Sequence, residues 1–252
     1  MRLIVRINGQ TNDVRAHVGT SGWQYSYWKK AFYPTDLAQS HWLEYYATRF
    51  STVEVNNTFY RLPPADTFAN WAARTPDNFV FSLKASRYLT HMKRLRDPEE
   101  PVSRMLERVQ PLGTKLGPIL LQLPPNFKID LVAMDKVLDC FPSSVKVAVE
   151  ARNPTWFVEE YAEVLSRHNA ASCIAVSADR ETPVWRTADW GYARFHESQK
   201  KPYTTYAKKT LALWADRLGE LFGDESVYVF FDNDTNACAP RNARTLASLV
   251  AS

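Results

Sequence analysis

At 252 residues, 45% hydrophobic and 23% charged, the chain can fill either one large α/β domain or two small ones with an ordinary globular core. Its 31 basic and 27 acidic side chains leave a net charge of +4 and a pI near 8.9, too mild to argue nucleic-acid binding by itself. Three widely spaced cysteines, Cys140, Cys173 and Cys238, with no CxxC pair, argue against a disulfide framework and a zinc ribbon.

The first ten residues, MRLIVRINGQ, are too short in apolar length and too interrupted by arginine for a signal peptide. No later stretch approaches the roughly 18 apolar residues of a membrane span. The expectation is a soluble, reducing, cytoplasmic protein with no membrane partner. Residues 1–15 read as an N-terminal extension, either an edge strand or a loose tail, and residues 16–252 as one domain.

Along the chain, short β-rich runs recur: HVGTSG, STVEVNNTF, FVFSLKAS, PILLQLPP, KVAVEAR, SCIAVSAD, YARFHE and VYVFFDND. Segments of helical period lie between most of them. Trp42, Tyr45, Tyr46 and Phe50 share one face, and Phe68 with Trp71 a shorter one. Val102, Met105, Leu106 and Val109 share another, followed by Tyr161, Val164, Leu165 and His168, then Leu211, Trp214, Leu218 and Leu221. Continuously apolar strands alternating with helices predict a parallel sheet covered by helices. Eight such units predict a single (β/α)8 barrel of the triosephosphate-isomerase type. Pro183, in the short link RETPVWRTADWG, predicts that the sixth helix is lost or reduced to a turn. No Gly-rich nucleotide fingerprint and no GxxxxGK[ST] loop occurs.

The runs end on polar groups: Thr20 and Ser21, Glu54 and Asn56, Lys84, Gln122, Glu150 and Arg152, Asp179, Arg194 and His196, then Asp232 and Asn233. In a parallel barrel these ends share one face, where the βα loops build the site. Burying so many polar and charged groups for structure alone is costly, so one shared polar pocket is expected. Aromatics follow several ends: Trp23, Tyr25, Tyr27 and Trp28, then Phe59 and Tyr60, then Trp156. The loop after FVFSLKAS adds Arg87, His91, Lys93, Arg94 and Arg96. Aromatics interleaved with cations suit stacked bases with phosphates nearby, or a sugar or nucleotide in a deep pocket. Packing residues that close the barrel are the plainer account of half of them.

Several long stretches resemble the YecE-like family, domain of unknown function 72. They are VGTSGWQYSYWKKAFYP, FSTVEVNNTFYRLP, WAARTPDNFVFSLKASRYLTHMKRL, LGPILLQLPP, VAVEARNPTWF and YVFFDNDTNACAPRNA, and the resemblance spans about residues 17 to 250. It implies a barrel of the triosephosphate-isomerase type and carries no activity with it. At the seventh run this chain departs from the family pattern, reading RFHES with Glu197 in place of glycine.

Three chemistries are open to these residues. Glu54, Glu150 and Asp232 suit acid, base or metal-ligand roles, although no HxH or HExxH spacing supports a divalent ion and an organic salt-bridge network is the alternative. Lys84, Arg152 and Arg194 suit an anion, with Lys84 also a Schiff-base candidate. His196 is either a general acid or base or a core histidine bonded to a carboxylate. The leading expectation is a hydrolase- or lyase-type enzyme for a phosphorylated or anionic small molecule, or for a nucleic-acid end. Glu150, His196, Glu54 and Asp232 are its catalytic candidates. Lys84, Arg152, Arg194, Gln122, Asn56, Asn233, Trp23, Tyr60, Trp156 and His91 are the ligand-binding candidates, with the anion beside Lys84 and Arg194. The alternative is a non-catalytic binder of nucleotides or nucleic acid through the basic loop and aromatic rim. A third reading is a barrel that serves only as a scaffold.

Overall fold

The computed structural model describes the backbone of residues 3–7, 10–177, 181–197 and 205–250, with side chains from residue 15 onward. Asp179 lies outside the described residues. All eight β-rich runs contain strands. Hydrogen bonding arranges ten strands into two five-stranded sheets, and the chain divides into two compact units.

One unit takes residues 1–53, 174–182 and 189–252. Its sheet comprises β1 (Leu3–Ile7), β2 (Gln10–Thr20), β8 (Ile174–Val176), β9 (Gly191–His196) and β10 (Ser226–Asp232), in the order β1-β2-β10-β9-β8. β1 pairs antiparallel with β2, whereas β10 is parallel to both β2 and β9, and β8 is parallel to β9. Within the stretch read as an extension, Leu3–Ile7 are therefore an edge strand and Gln10 begins β2, which runs without a break through residue 15. Helices α7 (Lys208–Phe222) and α8 (Cys238–Val250) bury Leu218 and Leu246 beside Val18, Val227 and Val229. The face read as Trp42, Tyr45, Tyr46 and Phe50 starts α1 (Trp42–Ala47).

The other unit takes residues 54–173 and 183–188. Apart from the first two residues of β3 it holds the second sheet: β3 (Thr52–Val55), β4 (Val80–Lys84), β5 (Leu116–Gln122), β6 (Val147–Glu150) and β7 (Ala171–Ser172), in that order. Its helices are α2 (Asn57–Tyr60), α3 (Ala65–Ala73), α4 (Glu99–Val109), α5 (Leu131–Asp139) and α6 (Glu159–Arg167). The apolar stripes set the faces: Phe68 and Trp71 of α3, Val102, Met105 and Val109 of α4, and Tyr161, Val164 and Leu165 of α6 are all buried.

The run SCIAVSAD divides, with β7 in the second sheet and β8 in the first. Among the described residues between β8 and β9 there is no helix, as Pro183 predicts. None of the described helices is long and apolar enough to cross a membrane.

Candidate functional site

In the second unit, strand register decides which side chains meet. β5 and β6 pair Gln122 with Glu150, and β4 and β5 pair Lys84 with Leu120. Side chains two apart on a strand share a face, so Lys84, Gln122 and Glu150 emerge together at the carboxyl ends. Glu150 is fully buried. Its Oε2 accepts from Gln122 Nε2 at 3.0 Å and its Oε1 from Arg152 Nε at 2.9 Å. Two donors, one of them a cation, satisfy a carboxylate that would otherwise be costly to desolvate. Glu54, at the end of β3, is fully buried as well.

Arg152 lies just beyond β6 with 28% of its side chain exposed. Nε alone is engaged, and its two terminal amino groups have no hydrogen-bond or ion-pair partner among the described residues. Lys84 Nζ lies 4.4 Å from the centre of the Phe59 ring, and His91 meets the same ring edge-on at 4.9 Å. His91 Nδ1 lies 2.9 Å from Thr90 Oγ1. Burial lowers the His91 pKa to about 4, helped by the neighbouring charges of Lys84, Arg152 and Arg87.

The loop that carries His91 is irregular. Tyr88–Met92 forms a π-helical turn, closed by Lys93 N donating to Tyr88 O at 2.8 Å. Arg94, Leu95 and Asp97 then take left-handed φ values of 50°, 64° and 41°. π-Bulges and left-handed non-glycine residues both cluster at functional sites, where surrounding structure holds the strain.

The first unit carries a cluster of its own sequence candidates. β9 and β10 pair Asp232 with His196 and Phe230 with Arg194, which puts Arg194, His196 and Asp232 on one face. Arg194 is fully buried and donates from Nη2 to Asp232 Oδ2 at 3.1 Å. The same oxygen lies 3.2 Å from His196 Nδ1. A carboxylate at Nδ1 orients the imidazole, and its Nε2 lies 3.5 Å from Arg194 Nη1. Ser21 Oγ is 3.5 Å from Arg194 Nη2. Asn233 serves structure, since its Nδ2 donates to Asn242 Oδ1 at 2.8 Å and ties the end of β10 to α8.

Not every candidate reaches a site. Trp156 is fully buried, donates its ring N–H to Phe127 O at 2.8 Å, and stacks edge-on with Phe127 and Tyr161. Trp23 is also buried, and its carbonyl accepts from Tyr33 OH at 2.6 Å. Both sit where packing places them. Tyr60 is exposed on α2, and the side-chain oxygen of Asn56 is buried without a hydrogen-bond partner among the described residues.

Sequence reasoning passed over Asp234, whose carboxylate accepts from Tyr27 OH and, at 2.6 Å, from Trp28 Nε1. Burial pushes its pKa up to about 7, while the two donors favour the charged form. The signal was present: Tyr27 and Trp28 stood out as rim aromatics, and an amphipathic aromatic beside a site needs a polar partner. Among the described residues no group of three or more His, Cys, Asp or Glu side chains is placed to hold a metal ion.

The profile of the family described as "Protein of unknown function DUF72" matches residues 17–252. The chain belongs to the DUF72 family. It is similar to a DUF72 family protein of Thermotoga maritima MSB8, with a TM-score of 0.83 and 28% identity over 94% of this chain and all of that one. Its sequence is 35% identical to UPF0759 protein YecE of Escherichia coli K12 over 127 residues, about half of each chain. UPF0759 protein YunF of Bacillus subtilis 168 is 26% identical over 93% of this chain and 94% of its own.

Proposed function

We propose that this DUF72 protein is a hydrolase- or lyase-type enzyme whose ligand is a phosphorylated or otherwise anionic small molecule, held at the carboxyl ends of the strands. The observation that supports it most is Arg152. Its guanidinium is fixed through Nε by a buried Glu150, leaving two amino groups to a ligand, and its charge and that of Lys84 both act on His91. A pre-oriented guanidinium edge with neighbouring cations suits two oxygens of a phosphate or carboxylate. Glu150 is the acid–base group of that cluster, Gln122 positions it, and Glu54 at the end of β3 is a further carboxylate candidate. On the first unit, His196 with Asp232 is the proton-transfer candidate and Arg194 the cation. This reading includes closure of the strands into a (β/α)8 barrel and a cytoplasmic location.

The test is calorimetric titration of inorganic phosphate into the protein and its Arg152→Ala variant. Saturable binding that is lost in the variant is the expected result. A response only to a neutral sugar or only to a divalent metal sinks the reading. A second reading, a non-catalytic nucleic-acid binder, draws on exposed Arg87 and Arg96 in the irregular loop. Counterion release would then make affinity fall steeply with salt, whereas a small-molecule site changes little.

A further inference from the structure

We infer that a second ligand site, independent of the strand-end clusters, lies on the outside of the second unit and takes a nucleotide, its base on tyrosine and its phosphate on arginine. The observation is a groove of about 320 Å³, lined by Tyr60, Leu62, Ser86, Tyr88, Pro101, Arg104, Met105 and Arg108. That volume is within the range of small-molecule pockets. Three elements converge on it. Pro101, Arg104, Met105 and Arg108 follow helical spacing, so one face of α4 supplies an apolar floor, Pro101 and Met105, and a cationic edge. Tyr60 comes from α2 and Tyr88 from the π-helical turn after β4.

The two tyrosines are what a merely solvated helix face does not explain. Tyr60 is 80% exposed and Tyr88 40% exposed, so two large rings stand in water at one groove. Such rings expose flat apolar faces that a planar base covers. The cations gather on one edge as well. Arg104 meets Glu100 at 3.3 Å in an exposed pair of little strength, while Arg108 has no ion-pair or hydrogen-bond partner among the described residues. Exposed Arg87 adds a cation beside it, and the Lys93 ammonium, 5.7 Å from the Tyr88 ring centre, is held by Asp97 at 3.0 Å. An aromatic wall with an arginine edge selects a base bearing a phosphate over either part alone.

The source of that nucleotide, free or within a single strand, is separated by the probes. Calorimetry would use AMP, adenosine, inorganic phosphate and a single-stranded oligothymidylate with the parent protein and with Tyr60→Ala, Arg108→Ala and Arg152→Ala. AMP binding should weaken about tenfold or more in Tyr60→Ala, the scale of one lost base stack, and similarly in Arg108→Ala, and persist in Arg152→Ala. Adenosine should bind more weakly than AMP. The same variant pattern with the oligonucleotide, at much higher affinity than AMP, would identify a strand as the source. Absence of binding by both AMP and the oligonucleotide overturns the inference. So does binding unchanged in both groove variants, or lost only in Arg152→Ala, which belongs to the strand-end cluster. Tyr60 and Arg108 are exposed, so unchanged melting temperatures would show that both variants are folded.

Discussion

Glu150 carries the strand-end cluster of the second unit, because two donors, Gln122 and Arg152, converge on one carboxylate without solvent. Replacing it with alanine strands a buried amide and a partly buried guanidinium. Arg152 can turn partly to water, so the loss of stability should be about 2–4 kcal/mol, measured by urea unfolding. An unchanged midpoint and slope would show that Glu150 is not a buried anchor. His91 gives the second residue-scale prediction. Its folded pKa of about 4 lies below the ordinary histidine value of 6.5, so the unfolded chain binds this proton more readily. Its contribution to stability is therefore present above pH 6.5 and is lost as pH falls toward 4. His91→Asn should lose less stability than the parent protein across that interval. Bound phosphate should move the His91 titration upward in an NMR experiment, because an adjacent anion favours the imidazolium.

At the scale of elements, Lys115 shows how a helix end is fastened. It is almost fully buried, and its Nζ donates to Ala72 O at 2.6 Å and Thr75 O at 2.7 Å, carbonyls at the end of α3. Those carbonyls have no partner within the helix, and a cation there also suits the helix dipole. Lys115→Met keeps the apolar stem and removes the donors, so it should cost about 2–3 kcal/mol in a denaturant series. Strand β2 sets a different constraint at Gly19. A Cβ there would stand 2.2 Å from Thr52 O, a backbone atom that cannot rotate away. Gly19→Ala should destabilise by about 3 kcal/mol or more, or prevent accumulation of folded protein. A melting temperature near that of the parent would mean that β2 and Thr52 are further apart.

For the molecule as a whole, phosphate binding and stability are linked, since a ligand that binds only the folded state stabilises it by mass action. Phosphate at a hundred times its Kd should add about 2.7 kcal/mol. For a chain of this size that is a rise of roughly 5–10 °C in Tm, read by calorimetric scanning. Arg152→Ala should show none of it. Raising salt with chloride at fixed phosphate should leave most of the rise in place if the anion sits in the partly desolvated cluster around Glu150.

Much of the architecture was legible along the chain because burial on both faces leaves a local trace. Val147 and Val149 or Phe230 and Phe231 announce strands without any partner in view, and Met105 with Val109 announces the buried face of α4. The strand-end residues Glu150, Arg194 and Asp232 were legible for a related reason, since charges that close an apolar run need partners. The partners themselves were not legible. Whether Glu150 met Gln122 or a histidine, and whether Arg194 met Asp232, depends on strand register, a relation between segments far apart in sequence. The split of SCIAVSAD, with Ser172 in one sheet and Ile174–Val176 in the other, is likewise a matter of which neighbour captures each part. Trp156 and Trp23 misled because an aromatic beside a strand end has the same composition whether it packs inward or faces a ligand. Asp234 stayed hidden because its donors, Tyr27 and Trp28, lie some two hundred residues earlier in the chain. The sequence by itself determined which residues must be buried and which must find a polar partner, through solvation and periodicity. Only the tertiary structure decided which partner each one found, because hydrogen bonds and ion pairs act over a few ångströms between groups that chain order does not bring together.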